Sequence, residues 1–417
     1  MTAAVPTASS PPTATSAPSP APASGSPSAL SPPPALRRRP RLHPLAVDRV
    51  ERLTDDAVSI RFAVPDELAP EYAFLPGQHV SIRTSLAGDD VRRSYSICSP
   101  AGSGILEVAV KRLEGGRFSS YAHDRLSPGD VLEVLTPAGG FCVVPDPARG
   151  LHYAAIAAGS GITPILSILS SVLEAEPASR CTLLYGNRAA SSVMFADRLA
   201  DLKDQYLERF DLHHVLSREP SEIALHSGRL DRARLERFLA TVLPPETVDE
   251  WFLCGPTAMA DDAVAALAAA GVPAARVHRE RFHVDEPAIA EGRGSPAERG
   301  GSGAGVGPEA PATAGEAPAG AGGSAVAATL TATLDGRTSV VELAPGETVL
   351  QGFLRVRPDA PFACQAAVCG TCRAVVREGR VSMAHNYALE PDEVAAGAVL
   401  TCQSRPETPT ITVDYDA

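Results

Sequence analysis

The sequence predicts a multidomain chain: an antiparallel β-barrel, an α/β doubly wound domain and a small α+β domain, in that order. A disordered amino-terminal tail and a flexible linker complete it. Three observations lead there. Two stretches are too poor in large apolar side chains to fold. The region between them changes, near residue 150, from short strands to strands alternating with helices. The carboxyl-terminal segment combines a hairpin, one helix and a loop dense in cysteine. At 417 residues the chain exceeds a single core and suits two or three domains.

Residues 1–39 are almost entirely Ala, Pro, Ser and Thr, which cannot offset the entropy of ordering, and are expected to be disordered. Residues 40–148 give short Val/Ile/Leu-rich runs broken by turn residues: Ala57 to Phe62, His79 to Ile82, Leu106 to Val110 and Val131 to Val134. Strands at roughly ten-residue spacing suggest a barrel or sandwich. In residues 149–284 the apolar runs Tyr153 to Ala158, Cys181 to Tyr185, Leu212 to Leu216 and Glu250 to Cys254 are separated by helical stretches, the first from Pro164. That alternation specifies a doubly wound parallel sheet. Residues 285–325, rich in Gly, Ala, Pro and Glu, read as a flexible tether. Residues 326–417 open with a hairpin, Thr329 to Leu334 and Ser339 to Leu343 about the turn Asp335-Gly336, followed by a helix near Thr348 to Arg355.

The chemistry of the last domain lies in Cys364, Cys369 and Cys372, spaced C-x4-C-x2-C, with Cys402 distant. Four thiolates so spaced are the ligand pattern of a plant-type 2Fe-2S cluster, a one-electron acceptor. The small Ala366, Ala367 and Gly370 let the loop bend tightly and bring amide N–H groups to the sulfurs. A zinc site and four unrelated free thiols are the alternatives, but structural zinc prefers two paired knuckles rather than three ligands in one loop. The remaining cysteines, 98, 142, 181 and 254, have no pair spacing and fit reduced thiols in a cytoplasmic protein.

Net charge of −12 argues against nucleic acid and anionic membranes as partners. No apolar run has membrane-spanning length and no secretory signal precedes the body. Arg37, Arg38 and Arg39 are followed by Asp48-Arg49-Val50-Glu51-Arg52 where a twin-arginine signal needs an apolar segment.

Three motifs in the body carry a family likeness. Arg92-Arg93-Ser94-Tyr95-Ser96-Ile97-Cys98-Ser99, read as the start of a barrel strand, is followed by Gly116-Arg117-Phe118-Ser119 and by Gly159-Ser160-Gly161-Ile162-Thr163-Pro164. Together they resemble the ferredoxin–NADP reductase superfamily. The resemblance implies FAD, with Arg93 facing its pyrophosphate, Tyr95 stacked on the isoalloxazine, Ser96 near N5, and Gly116 and Ser119 donating to the pyrophosphate. It implies a nicotinamide dinucleotide at Gly159, Gly161, Thr163 and Pro164, where small residues let a diphosphate approach a helix N-terminus. The next strand ends in Asn187-Arg188 and a later one in Ser217-Arg218. All four are cofactor-binding candidates, and Arg188, Ser217 and Arg218 are candidates for a 2′-phosphate, favouring NADPH, with NADH possible; ordinary surface arginines are the alternative. Cys254-Gly255-Pro256 matches the family's nicotinamide-side pair, a buried structural Cys being the alternative. Glu280 and Phe282 match its closing Glu-x-aromatic, although here the chain continues. Ser96, Cys254 and Glu280 are thus the catalytic candidates.

The domain order over about 43–417, with a β-grasp ferredoxin last, resembles reductase subunits of ring-epoxidising multicomponent oxygenases. The implied role is to pass electrons from NADPH through FAD and the 2Fe-2S cluster to the diiron subunits of such a complex. Gln365 stands where some relatives carry a basic residue. A reductase for a different oxygenase, hydroxylase or desaturase, and a non-enzymatic redox carrier or sensor, are the alternative readings.

Overall fold

The computed structural model describes residues 40–282, 327–389 and 391–417; the expected tail, the three consecutive arginines and the tether lie outside them. No helix among the described residues is long and apolar enough to cross a membrane.

The first domain is one strongly curled sheet of β1 (Leu42–Thr54), β2 (Ala57–Ala63), β3 (His79–Leu86), β4 (Asp89–Ser96), β5 (Leu106–Lys111) and β6 (Val131–Leu135). The strand order is β4-β3-β6-β1-β2-β5, antiparallel throughout. The sheet curls strongly around Ile60, Val80, Ile82, Val108 and Val134, and an isolated bridge from Ile97, just after β4, to Val108 on β5 brings its two edges together. The helix α1 (Arg117–Asp124) caps one end through Phe118 and Ala122. Two corrections arise here. The segment beginning at Arg92 lies at the end of β4, not at the start of a strand. Ala87 and Gly88, both with positive φ (54° and 88°), form a tight turn from β3, so β4 begins in the acidic pair Asp89-Asp90, which gives no apolar signal. The strand β1 escapes the sequence pattern because register shifts between Val47 and Arg49 and between Arg52 and Thr54 break its alternation.

The second domain alternates β7 (His152–Ala158), α2 (Ile162–Ala175), β8 (Arg180–Asn187), α3 (Ala196–Gln205), β9 (Phe210–Leu216), α4 (Arg232–Thr241), β10 (Glu250–Cys254), α5 (Thr257–Ala269) and β11 (Val277–Glu280). Its sheet order is β11-β10-β7-β8-β9, all parallel. One core lies under α2 and α3, and a second under α4 and α5 with the fully buried Trp251. The winding reverses at β7: the chain first adds β8 and β9 on one side and then crosses back to add β10 and β11 on the other, which opens a crevice at the carboxyl ends of β7 and β10. The helix α2 starts at Ile162 rather than at Pro164. Pro164 still falls within the first turn, where a missing N–H costs no intrahelical bond. Ala57, Cys98, Ala109 and Val143 from the first domain join the core under α2, so the barrel and the parallel sheet share apolar packing.

The third domain is a β-grasp: β12 (Ala328–Leu334), β13 (Arg337–Leu343), α6 (Val349–Leu354), β14 (Arg373–Glu378), β15 (Val381–Met383), α7 (Pro391–Ala395), β16 (Ala398–Leu400), β17 (Ser404–Pro406) and β18 (Thr410–Asp414). The main sheet runs β13-β12-β18-β14-β16, with β12 and β18 parallel, and β15 pairs with β17. Asp335 and Gly336 both take positive φ (58° and 63°), the two-residue turn that their sequence specifies. Thr348 accepts from Gln351 N at 3.2 Å while Gln351 Oε1 accepts from Thr348 N at 3.0 Å, a reciprocal cap that starts α6.

Candidate active site

The cysteine loop joins α6 to β14, and Cys402 follows β16. Backbone φ is positive at Gln365 (53°), Ala367 (62°) and Gly370 (67°), so the chain coils in on itself between the first three thiols. The coil turns Ala366 N and Cys369 N onto Cys364 Sγ at 3.3 and 3.4 Å. Gln365 contributes its carbonyl, which accepts from Gln403 Nε2 at 2.9 Å and ties the loop to the Cys402 segment. Thr401 Oγ1 donates to Cys372 O at 2.9 Å, a second tie. The thiols meet in twos: Cys364 beside Cys369, and Cys372 beside Cys402. Among the described residues no three His, Cys, Asp or Glu side chains converge as on a single ion. Two thiol pairs with amide donors aimed at sulfur fit a two-iron rhomb.

A cavity of about 380 Å³ opens between the barrel, the start of α2 and the last domain. Arg93, Tyr95, Ser96, Gly116 and Ser119 line it from the barrel, with Thr163 from α2. Tyr95 packs on Phe118 with ring centres 5.4 Å apart, and burial pushes its hydroxyl pKa up. Gly116 precedes α1, whose first turn has no side-chain cap, so its amides are available to an anion. A Cβ at Gly116 would come 2.3 Å from Ser119 Oγ. That hydroxyl is engaged within its own loop, accepting from Leu113 N at 3.1 Å and donating to Gly116 O at 3.3 Å. The Ser119 hydroxyl therefore shapes the turn. A cation, uncapped amides and an aromatic wall are the chemistry that an adenine dinucleotide with a planar ring requires.

Ser96 Oγ donates to Glu280 Oε2 at 3.2 Å, and Cys254 Sγ lies 3.9 Å from the same oxygen. The contact follows from parallel pairing of β10 with β11, which sets Cys254 opposite Glu280. Burial pushes the Glu280 pKa up to about 8, against the lowering by Ser96 and Cys254. Burial and the adjacent Glu280 also hold the Cys254 thiol well above its ordinary value. The three catalytic candidates thus form one cluster, and Phe282 lines the same cavity.

At the crevice, Gly159 has φ of 55°, and a Cβ on Gly161 would come 2.1 Å from Cys254 O, so only glycine lets β7 and β10 approach. Thr163 Oγ1 bonds Ser160 O at 3.1 Å, leaving the start of α2 without a side-chain cap or first-turn acid. Gly255 sits against Ala158, and Pro256 leads into α5. Ser217 N bonds Asn187 O at 2.9 Å and Arg218 N bonds Arg188 O at 2.8 Å, which brings those four residues together at the ends of β8 and β9. Arg188 and Arg218 are exposed, and Asn187 is buried.

The cysteine loop is part of the cavity wall: Cys364, Ala366, Val368 and Cys369 face it from the last domain. Two cation–π contacts seat that domain, Arg92 over Phe362 at 3.9 Å and Arg281 over Tyr387 at 4.7 Å. The sequence gives Arg92, Phe362, Arg281, Tyr387 and His79 no role at the interface, since each contact joins distant parts of the chain.

Three family models match the chain: an oxidoreductase FAD-binding domain over residues 44–142, an oxidoreductase NAD-binding domain over 155–265 and a 2Fe-2S iron-sulfur cluster binding domain over 332–407. One component of the 1,2-phenylacetyl-CoA epoxidase of Escherichia coli (strain K12) is 42% identical over 376 residues, 90% of this chain and 98% of that one. The ferredoxin reductase component of the 3-ketosteroid-9-alpha-monooxygenase of Rhodococcus rhodochrous is 34% identical over 376 residues, 89% of this chain and 96% of that one. The solved structure of phthalate dioxygenase reductase shares the fold, with TM-score 0.51 and 22% identity over 89% of this chain and 98% of that one.

Proposed function

We propose that this chain, which belongs to the ferredoxin–NADP reductase superfamily in the branch ending in a 2Fe-2S ferredoxin domain, draws on NADPH and serves a diiron acyl-CoA ring epoxidase of cytoplasmic phenylacetate catabolism. As an oxidoreductase of that family it passes electrons from a nicotinamide nucleotide to an oxygenase. The observation that carries the reading is a shared cavity: Cys364 and Cys369 line the space that Arg93, Tyr95 and Ser96 line.

When bound, FAD accepts a pair of electrons as hydride and gives them up singly, and the cluster takes one at a time. Arg93 and the first-turn amides of α1 bind the FAD diphosphate, while Tyr95 and Phe118 give the ring a flat wall. Gly159, Gly161 and the open start of α2, with Thr163 and Pro164, receive the nucleotide diphosphate. Arg188, Ser217 and Arg218, gathered beside Asn187 at the ends of β8 and β9, would meet a 2′-phosphate, which favours NADPH. Glu280 holds a proton on its carboxyl near neutral pH and orients the Ser96 hydroxyl, and Cys254 with Gly255 and Pro256 shapes the nicotinamide side. Cys364, Cys369, Cys372 and Cys402 would hold the 2Fe-2S cluster, which would supply a one-electron carrier beside the flavin site.

Reconstitution with the oxygenase subunits of a phenylacetyl-CoA epoxidase tests the partner. NADPH oxidation coupled to epoxide formation is expected. Coupling with a 3-ketosteroid monooxygenase and none with the epoxidase would reassign it, and absence of NADPH-dependent dye reduction would leave only a carrier.

A further inference from the structure

Between Ser96 and the cysteine loop stands a side chain that no motif includes. His79 opens β3 and is the register partner of Ser96 on β4. Directly opposed residues share a face, with Cβ atoms about 5 Å apart. On its other side is Cys369, and the two residues together line both the 380 Å³ cavity and an adjoining one of about 300 Å³.

The ring is 6% exposed and closely confined. A Cβ on Gly139 would come 2.8 Å from His79 Nδ1, so that nitrogen faces bare backbone. Nε2 is buried without a hydrogen-bond partner among the described residues. A buried polar nitrogen left unpaired costs about 1–3 kcal/mol, so a fold that keeps one there is expected to give it an acceptor. Across the interface Cys369 lies on the same cavity walls, close enough for its carbonyl and sulfur to act on the ring.

We infer that His79 is a positioning residue whose Nε2–H donates to Cys369, anchoring the cysteine loop to the wall that carries Ser96. The inference rests on the reading that Cys369 holds iron and that the cavity holds FAD. Flavin and cluster absorption in the purified full-length protein check that reading independently of any change at position 79.

A donor N–H at a cluster ligand stabilises the added negative charge of reduction. Its loss therefore makes reduction harder. Two variants of the cofactor-loaded full chain separate the donor from the volume: His79→Gln keeps an N–H at similar reach, and His79→Leu fills the space without one. Dye-mediated titration followed by electron paramagnetic resonance reads the cluster potential, and hydrogen exchange reads residues 364–372. His79→Leu is expected to shift the cluster equilibrium about tenfold towards the oxidised form, about 59 mV for one electron, and to speed exchange in the loop. His79→Gln is expected to stay within about threefold of the unmutated protein. Equal shifts in the two variants, or no shift in His79→Leu, would overturn the inference. A measurement on a chain unmutated at position 79 guards against a misfolded variant. Two other histidines stand near the loop: His278, which lines the 300 Å³ cavity with Cys369, and His385, whose ring stacks on Tyr387. In protein labelled with 15N only at histidine, the reduced cluster should show a 15N coupling that survives both His278→Gln and His385→Gln, and its absence would equally overturn the inference.

Discussion

Replacing Glu280 by glutamine tests the buried carboxyl at the centre of the site. In the folded chain its pKa lies at about 8 against an ordinary value of 4.5, because burial penalises the charged form more than Ser96 and Cys254 favour it. Between those values the native state keeps a proton that the unfolded chain releases. Stability must therefore fall as pH rises through that window, by about 1.4 kcal/mol per pH unit. From pH 5 to pH 8 the loss is on the order of 4 kcal/mol. A carboxamide does not titrate, so Glu280→Gln should lack this component while keeping a polar partner for Ser96. Trp251 is the only tryptophan in the sequence and is fully buried beside the same sheet, so its fluorescence reports the right domain during urea unfolding. The stability difference between variant and unmutated protein should grow in the variant's favour from pH 5 to pH 8. Curves that run parallel across that range would refute the assignment of a buried, protonated Glu280.

Other substitutions probe the remaining parts. Cys369→Ser should lose the visible absorption of the cluster yet still reduce ferricyanide from NADPH, and coupled oxygenase turnover should fall to background. The double change Arg188→Ala and Arg218→Ala should lower the preference for NADPH over NADH by about tenfold to a hundredfold, read as the ratio of kcat/KM values. Gly161→Ala places a methyl group 2.1 Å from Cys254 O. The crossing of β7 and β10 must then spread, which should cost about 1–3 kcal/mol in urea unfolding and raise the KM for NADPH.

The parts of this site written in consecutive residues were the legible ones. Cys364, Cys369 and Cys372 announce their chemistry because a single loop must place all three, and the Asp335-Gly336 turn follows from backbone preferences alone. The strand β1 was missed since its irregular register hides the alternation that marks a strand. Pro164 misled by two residues, because proline is tolerated throughout the first helical turn. The proximity of Glu280 to Ser96 spans 184 positions and arises from how β4 meets the end of β11, which family likeness anticipated and residue pattern alone does not. The seating of Phe362 under Arg92 joins residues 270 positions apart and had no signal in either half of the pair.

A hollow walled partly by Val368 and Cys369 has an order of construction. The ribosome releases residues 40–282 before the final domain exists, and domains fold as units from the amino end during synthesis. The young protein therefore presents its dinucleotide groove with one flank still open to solvent. The wall that Val368 and Cys369 supply is thus the last to be made, after the side that Arg93, Tyr95 and Ser96 line.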